Sequence, residues 1–288
     1  MIRVTGIVKV RHRILRGTSG LKINRSRITG VLHQKESQQF YSLRRYYPKF
    51  ELTDFIDQFW LVDWNLPANK THTQRNLPDP NFHLVISNDS VKVVGPVTKV
   101  YNYMMSGKDR IIGVKFSLGA LQHVLSLPLV EYVDKEIDAS KIFGERLTEA
   151  LASLLAIKSD ALICEILEKR LTPHKTSVCD SQQSVQKLVS LIKDEQSIVK
   201  VSQLSERAEL SPRMIQRYFR KHIGLSAKWL IRKYRLHRVL ERLNAGEVNI
   251  LDVSMELEYT DQSHLIRDFK QIIGVTPNGY AENRHKHD

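Results

Sequence analysis

Two short runs of polar side chains carry the chemistry legible in this sequence. Arg213, Gln216, Arg217 and Arg220 stand at spacings of three and four, which places them on one side of a helix. Fifty residues later Gln262, Ser263, Arg267 and Lys270 repeat the arrangement. An arginine fork matches the O6 and N7 acceptors of guanine, and a glutamine amide matches N6 and N7 of adenine. Each good pair discriminates against the wrong base by roughly 1–3 kcal/mol. A helix presenting such groups suits base edges in a major groove. The usual fate of a polar helix side is plain solvation, so the surrounding elements decide between the two.

Those elements repeat as well. A shift of 50 aligns Ile215 with Leu265, Arg217 with Arg267, Phe219 with Phe269, Ile223 with Ile273 and Gly224 with Gly274. Upstream of the turn the shift is 49, pairing Leu204 with Val253, Ser205 with Ser254 and Ala208 with Leu257, so the second turn is one residue longer. Two copies of one supersecondary unit are implied, and each reads as a helix-turn-helix. In the first, Leu204 and Ala208 form an i, i+4 apolar pair, and Leu210-Ser211-Pro212 makes the turn. Ser211 is a good N-cap and Pro212 suits the first helical position. Ile215 and Phe219 pack the next helix, which Gly224 ends. In the second copy Asp261 caps, Leu265 and Phe269 pack, and Gly274 ends the helix.

Charge sharpens the picture. The chain has 288 residues, 44 basic and 31 acidic side chains, and a net charge of +13. Residues 1–39 hold +8 of this, residues 40–179 hold +1 and residues 180–288 hold +4. Within 211–242 there are ten Lys/Arg and one acid, a local +9. Much of that stripe lies on a predicted linking helix, 227–244, with Lys228, Arg232, Lys233, Arg235, Arg238 and Arg242 beside the anchors Trp229, Leu236, Leu240 and Leu243. Eighteen helical residues span about 27 Å, against roughly 34 Å between successive major grooves on one face. The tether therefore has the right size to hold two reading helices in neighbouring grooves.

The pattern Leu210-Ser211-Pro212-Arg213-x-Ile215-Gln216-Arg217-x-Phe219, then Tyr259-Thr260-Asp261-Gln262-Ser263-His264-Leu265-x-Arg267-x-Phe269-Lys270, with Gly274-Val275-Thr276-Pro277 and Tyr280, resembles the AraC/XylS family of bacterial transcription regulators. The resemblance spans residues 184–280. Tyr259-Thr260 stands where that family usually has Gly-Phe, and Ser205 where it usually has Ala. A segment from Tyr47-Pro48 through Phe59-Trp60 and Leu77-Pro78-Asp79 to Gly113-Val114-Lys115-Phe116 is similar to the N-terminal domain of an uncharacterised branch of the same family. The resemblance implies double-stranded DNA as partner, RNA polymerase as a second one, an activator's role, and a bacterial cytoplasmic, nucleoid-associated protein. It also implies an N-terminal module open to a small-molecule effector or to homodimerisation. The base-reading candidates are Arg213, Gln216, Arg217, Gln262, Ser263 and Arg267; Arg217 and Arg267 have a rival role in pairing with phosphate or a helix carboxylate. The phosphate candidates are Ser211, Arg220, Lys221, Lys228, Arg232, Asp261 and Lys270, the two caps counting for the amides of their helix starts.

The expected organisation is a basic tail at 1–39, an α+β domain at 40–171 with a small antiparallel sheet, a linker at 172–182, and an all-α DNA-binding domain at 183–288. In the α+β domain, Leu52, Phe55, Ile56, Phe59 and Trp60 recur at helical spacing and predict a helix ending near Trp64. Strands are predicted at 71–77, 82–87, 91–94 and 111–116, a short helix at 120–127, and one or two longer helices over 145–171. The tail has three readings: an uninformative upstream extension, a segment resembling an organelle transit peptide, or a basic arm touching phosphates. No function rests on it.

Other chemistry finds little support. No stretch approaches 18 uninterrupted apolar residues, so a membrane-spanning helix and a membrane partner are not expected. Two cysteines cannot build a disulfide framework or a zinc-finger set. Cys164 reads as a buried small hydrophobe and Cys179 as an exposed bystander in the linker. His72 and His83 could face each other on adjacent strands, but no third and fourth ligand is spaced nearby, so neither metal nor cofactor is expected. There is no Gly-x-Ser-x-Gly elbow and no Gly-rich phosphate loop. Phe59, Trp60, Trp64, Phe82 and Phe116 read as core or as the lining of a pocket. The chain is not expected to be an enzyme. The rivals are an alkyl-transfer enzyme fused to a DNA-targeting domain, and a DNA-binding protein whose N-terminal half only dimerises.

Overall fold

Alternating apolar and polar residues dominate the first half of the described chain, and strands follow from them. The computed structural model describes residues 30–33, 37–246 and 249–285. Eight strands run in order: β1 (Tyr41–Tyr46), β2 (Ile56–Asn65), β3 (Thr71–Asn76), β4 (His83–Ile86), β5 (Val91–Val94), β6 (Tyr101–Ser106), β7 (Lys108–Phe116) and β8 (Glu136–Asp138). Six form one sheet in the order β1-β2-β7-β4-β5-β8, every pairing antiparallel. β3 and β6 pair separately. The main sheet buries both faces. One face, with Phe59, Leu61, Leu84, Ile86, Ile112 and Val114, packs on Leu151, Leu154, Ile163 and Leu167. Those four come from a set of helices that includes α1 (Ser140–Phe143), α2 (Glu145–Ala152) and α3 (Asp160–Leu171), and a 3₁₀ turn at Ser153–Ala156. The other face puts Val62, Trp64 and Ile111 against Met105 of the small sheet.

The helix expected to end near Trp64 is a strand. Ile56–Asn65 pairs with β1 on one side and β7 on the other. A bulge lies between Ile56 and Gln58, where the register with β7 shifts. The extra residue brings Ile56 and Phe59, three apart, into one core. That spacing imitates a helix face. Composition decides against the helix, because Ile, Phe, Trp and Val prefer the pleated surface. Only Phe50–Leu52 forms a short 3₁₀ turn ahead of it. The helix expected at 120–127 is instead a run of turns, held by the Ala120 N–H to the Ser117 carbonyl and the Val124 N–H to the Leu121 carbonyl. Of the expected strands, 91–94 is found as predicted, and the others differ by one to three residues at their ends. β1, β6 and β8 were not predicted. β8 is only three residues long, while Tyr41–Tyr46 and Tyr101–Ser106 lack a clean apolar alternation.

The C-terminal half is all helical: α4 (Asp180–Asp194), α5 (Val201–Ala208), α6 (Pro212–His222), α7 (Ala227–Ala245), α8 (Ile250–Glu256), α9 (Gln262–Ile273) and α10 (Pro277–His285). α4 begins within the stretch expected to link the halves. Val185, Leu188, Val189 and Ile192 make its buried face. Two cores result. One joins α4 to Leu204, Ile215 and Phe219. The other holds Val253, Leu265, Phe269 and Tyr280. α7 serves both, giving Leu230 and Ile231 to the first and Leu236, Val239, Leu240 and Leu243 to the second.

Within the stretch expected to be a tail, residues 30–33 and 37–39 are described, and Val31 and Leu32 are buried. Leu32 packs with the second helical core; the other residues of 1–39 lie outside the described set. His72 sits on β3 and His83 on β4, in different sheets. His72 stacks on Phe40, and His83 Nδ1 accepts from the Trp60 indole N–H.

Candidate nucleic-acid interface

Both reading helices start as the sequence predicts. The Ser211 hydroxyl accepts from the Met214 N–H at 3.3 Å, and the Asp261 carboxylate accepts from the His264 N–H at 2.7 Å. These bonds satisfy helix-start amides that otherwise lack partners. The two caps thus serve the backbone first. Gly224 and Gly274, at φ +81° and +84°, follow the helix ends in the left-handed conformation that glycine adopts without strain.

The turns before these helices correspond more closely than the sequence alignment alone shows. Glu209 and Glu258 both adopt φ +52°. The Leu210 N–H reaches the Ser205 carbonyl, and the Tyr259 N–H reaches the Ser254 carbonyl. These pairs keep the shift of 49, so the extra residue of the second turn is Thr260, immediately before the cap. The residue standing where a glycine is usual is therefore Glu258 and not Tyr259. Tyr259 is 7% exposed and fills the aromatic place. A left-handed glutamate costs on the order of 1 kcal/mol against glycine.

On α6, Ile215 and Phe219 are buried while Arg213, Gln216, Arg217 and Arg220 are exposed. On α9, Leu265 and Phe269 are buried while Gln262, Ser263, Arg267 and Lys270 are exposed. Among the described residues no carboxylate pairs with Arg213, Arg217 or Arg267. The Arg217 guanidinium lies 3.0 Å from Met214 Sδ and 5.7 Å from the Tyr218 ring centroid. Arg267 Nε donates to the Ser263 carbonyl at 3.3 Å. Lys221 and Lys228 are also exposed. The side chains expected to meet DNA thus share an outward face on each reading helix.

The linking helix is different. Arg232, offered above as a phosphate contact, pairs with Asp268 at 2.8 Å and donates to Gln271 Oε1 at 2.5 Å, so it fastens α7 to α9. Arg235 lies 3.8 Å over the Tyr259 ring and donates to the Leu257 carbonyl at 2.7 Å. Arg238 donates to the carbonyls of Ile192, Glu195 and Gln196 at 3.2, 3.0 and 2.8 Å, closing the C-terminal end of α4. Arg242 pairs with Glu256 at 2.6 Å. Lys233 is 5% exposed. Most of the cations of α7 thus hold the two units together. The sequence signal was their spacing: 232, 235, 238 and 242 recur every three or four residues beside the apolar stripe.

The β-rich half touches the C-terminal end of each reading helix. A Cβ added at Gly224 would meet the Leu129 carbonyl carbon at 2.7 Å, so glycine is required there for close approach as well as for its φ. The Val100 N–H and the Arg75 guanidinium donate to the carbonyls of Ile272 and Ile273 at 2.8 and 2.6 Å. His222, 1% exposed, meets the Ser181 hydroxyl at 2.8 Å. Burial, with Lys221 and His123 repelling a proton, lowers its pKa to about 4.

Cys164 packs against the core of the β-rich half as a small hydrophobe, whereas Cys179 is not the exposed residue the sequence suggests. Cys164 is half-buried, and burial pushes its thiol up to about 12. Cys179 is half-buried at the start of α4. The Ser181 hydroxyl first, then the Gln182 N–H and the Lys221 charge, lower its pKa. Among the described residues no group of three potential ligands gathers for a metal, and no helix is long and apolar enough to cross a membrane.

Comparison with known proteins agrees with this geometry. Residues 204–283 match a family described as a helix-turn-helix domain, and residues 44–138 match a domain of unknown function (DUF6597). The chain is 22% identical over 165 residues to the uncharacterized HTH-type transcriptional regulator YtdP of Bacillus subtilis, covering 57% of this chain and 21% of that one. It is 28% identical over 101 residues to the F1 operon positive regulatory protein of Yersinia pestis, covering 34% of each. The matched stretches span about a fifth to a third of these relatives' length. Among solved structures, ToxT of Vibrio cholerae aligns over 84% of this chain and 97% of its own, at 11% identity and a TM-score of 0.37. Residues 204–283 are a helix-turn-helix domain of the AraC type, preceded by a β-rich domain whose family has no assigned function.

Proposed function

We propose that the chain is a sequence-specific, double-stranded DNA-binding transcription regulator. α6 and α9 read two neighbouring major-groove segments, with Arg213, Gln216 and Arg217 on one and Gln262, Ser263 and Arg267 on the other. Arg220, Lys221, Lys228 and Lys270, together with the amides behind Ser211 and Asp261, contact phosphates. Arg232 leaves that set because Asp268 and Gln271 hold it. The functional division is a tail at 1–39, a conditioning module at 40–171, a connection at 172–182 and the DNA-binding module at 183–288. The conditioning module acts through a small effector or a second copy of the chain. The regulator activates by engaging RNA polymerase, on the nucleoid in a bacterial cytoplasm.

The observation that carries this reading is the duplicated, capped helix whose outward face holds exposed Gln and Arg, with no carboxylate among the described residues paired to Arg213, Arg217 or Arg267. The test is genome-wide mapping of binding sites followed by footprinting. The reading expects two protected segments about one helical turn apart on one face of the duplex. A diffuse footprint without a shared motif overturns it. The lowered Cys179 thiol beside Lys221 favours a second reading, alkyl transfer from DNA to that thiol. Thiol titration before and after incubation with an alkylated duplex separates the two: a regulator keeps both thiols free.

A further inference from the structure

Two ion pairs brace the first helix-turn-helix unit against the second. Along α7, Leu230 and Ile231 belong to the first core, and the second core begins at Leu236. Arg232 stands just past the first stretch, yet its guanidinium reaches the second reading helix. It pairs with Asp268 at 2.8 Å and donates to Gln271 Oε1 at 2.5 Å. The pair is largely enclosed, with side-chain exposures of 23% and 14%. Outside α7, Lys200 at the start of α5 pairs with Glu258, in the turn before α9, at 3.3 Å. One brace holds the C-terminal half of α9, and the other holds the turn that leads into it.

Neither brace is what stability alone would select. Arg232 Nε is buried with no partner among the described residues, and a buried donor left without a bond costs stability. Glu258 is left-handed at φ +52°, a conformation that glycine adopts without strain. An exposed ion pair returns little of that strain in water. Strained backbone persists where the surrounding geometry has a task.

We propose that Arg232 and Asp268, with Lys200 and Glu258 in a smaller part, are positioning residues that set the distance between the two reading helices. They thereby select the number of base pairs between the two halves of the DNA site. The inference rests on the reading of α6 and α9 as base-reading helices. One added base pair moves the second half-site by roughly 3.4 Å along the duplex and turns it by about 34°. A displacement of that size exceeds the slack of a 2.8 Å contact. On a duplex of the wrong spacing the chain must give up either the braces or part of its base contacts. On the right one it keeps both. Losing a hydrogen bond to a charged group corresponds to about tenfold in an equilibrium constant.

The test is equilibrium binding of the full chain to duplexes that carry its mapped two-part motif, with the native spacer and with one base pair added or removed. The native chain is expected to prefer the native spacer. Arg232→Met and Asp268→Asn are each expected to shrink that preference by about tenfold, with no further change in the double variant. Both should keep the base preferences within each half-site. Lys200→Met, at an exposed position, is expected to shrink the preference by about threefold, and decides the matter if the two enclosed variants do not fold. Affinity lowered alike on every duplex, with the spacer preference undiminished, marks a merely structural bond and overturns the proposal. So does a native chain that recognises both half-sites but is indifferent to the spacer. A native chain that recognises no two-part motif overturns the reading of the helices themselves and the inference with it, so the two failures are told apart.

Discussion

α6 and α7 are adjacent helices of similar basicity that use their cations in opposite ways. α6 turns Arg213, Arg217 and Arg220 to solvent. α7 turns Arg232, Arg235, Arg238 and Arg242 onto carbonyls, carboxylates and an aromatic ring. Net charge does not distinguish them; the groups around them do. An arginine beside an apolar stripe that faces a helix end or a carboxylate becomes a fastener. An arginine on the side of the helix away from the buried residues, with no carboxylate beside it, remains available to a ligand. The local +9 of residues 211–242 is thus divided between two tasks.

Substitutions can break that contrast, and the fastening residues should show the largest stability effects. Arg238→Ala leaves three carbonyls at the end of α4 without their donor and should destabilise the protein by about 2–3 kcal/mol in chemical denaturation. Arg235→Ala should cost about 1–2 kcal/mol through loss of the Tyr259 stack and the Leu257 bond. Arg217→Ala should leave stability within about 0.5 kcal/mol. It should weaken binding to the preferred duplex by roughly 1–3 kcal/mol and relax the preference at one base position. Lys228→Ala should weaken binding to all sequences alike and reduce the slope of log K against log salt by about one. If Arg217→Ala unfolds the chain while Arg238→Ala spares it, the contrast fails.

Smaller effects sharpen the picture. His222 has its pKa lowered in the folded state, so the unfolded chain binds its proton more readily. The stability associated with neutral His222 is complete above the ordinary histidine pKa near 6.5 and is lost as pH falls toward about 4. His222→Gln should flatten that part of a stability-versus-pH curve. Glu258→Gly should raise stability by about 0.5 kcal/mol, the relief of left-handed strain partly offset by the greater freedom of the unfolded chain.

The two halves of the chain were not equally legible in its sequence. In the helical half, short-range rules were sufficient: Ser211 and Asp261 as caps, Gly224 and Gly274 as ends, and apolar pairs four apart are all local signals, and duplication doubled them. In the β-rich half, the bulge between Ile56 and Gln58 mixed two periods, β1 lacks a clean apolar alternation, and β6 gains its partner β3 from beyond β4 and β5. The outward faces of α6 and α9 could be read from spacing. The inward turn of α7 left one trace there, the recurrence of 232, 235, 238 and 242 beside the apolar stripe, but the partners of those cations depend on where Asp268, Tyr259 and the end of α4 come to lie.

The central claim is that the outward arginines read DNA while the inward ones hold the fold. Selection of duplexes from a random pool, using the folded full chain and its Arg217→Ala variant side by side, tests it most directly. The account predicts a two-part motif for the native chain and the same motif with one position relaxed for the variant, at unchanged Tm. An identical motif and affinity for both proteins would contradict it.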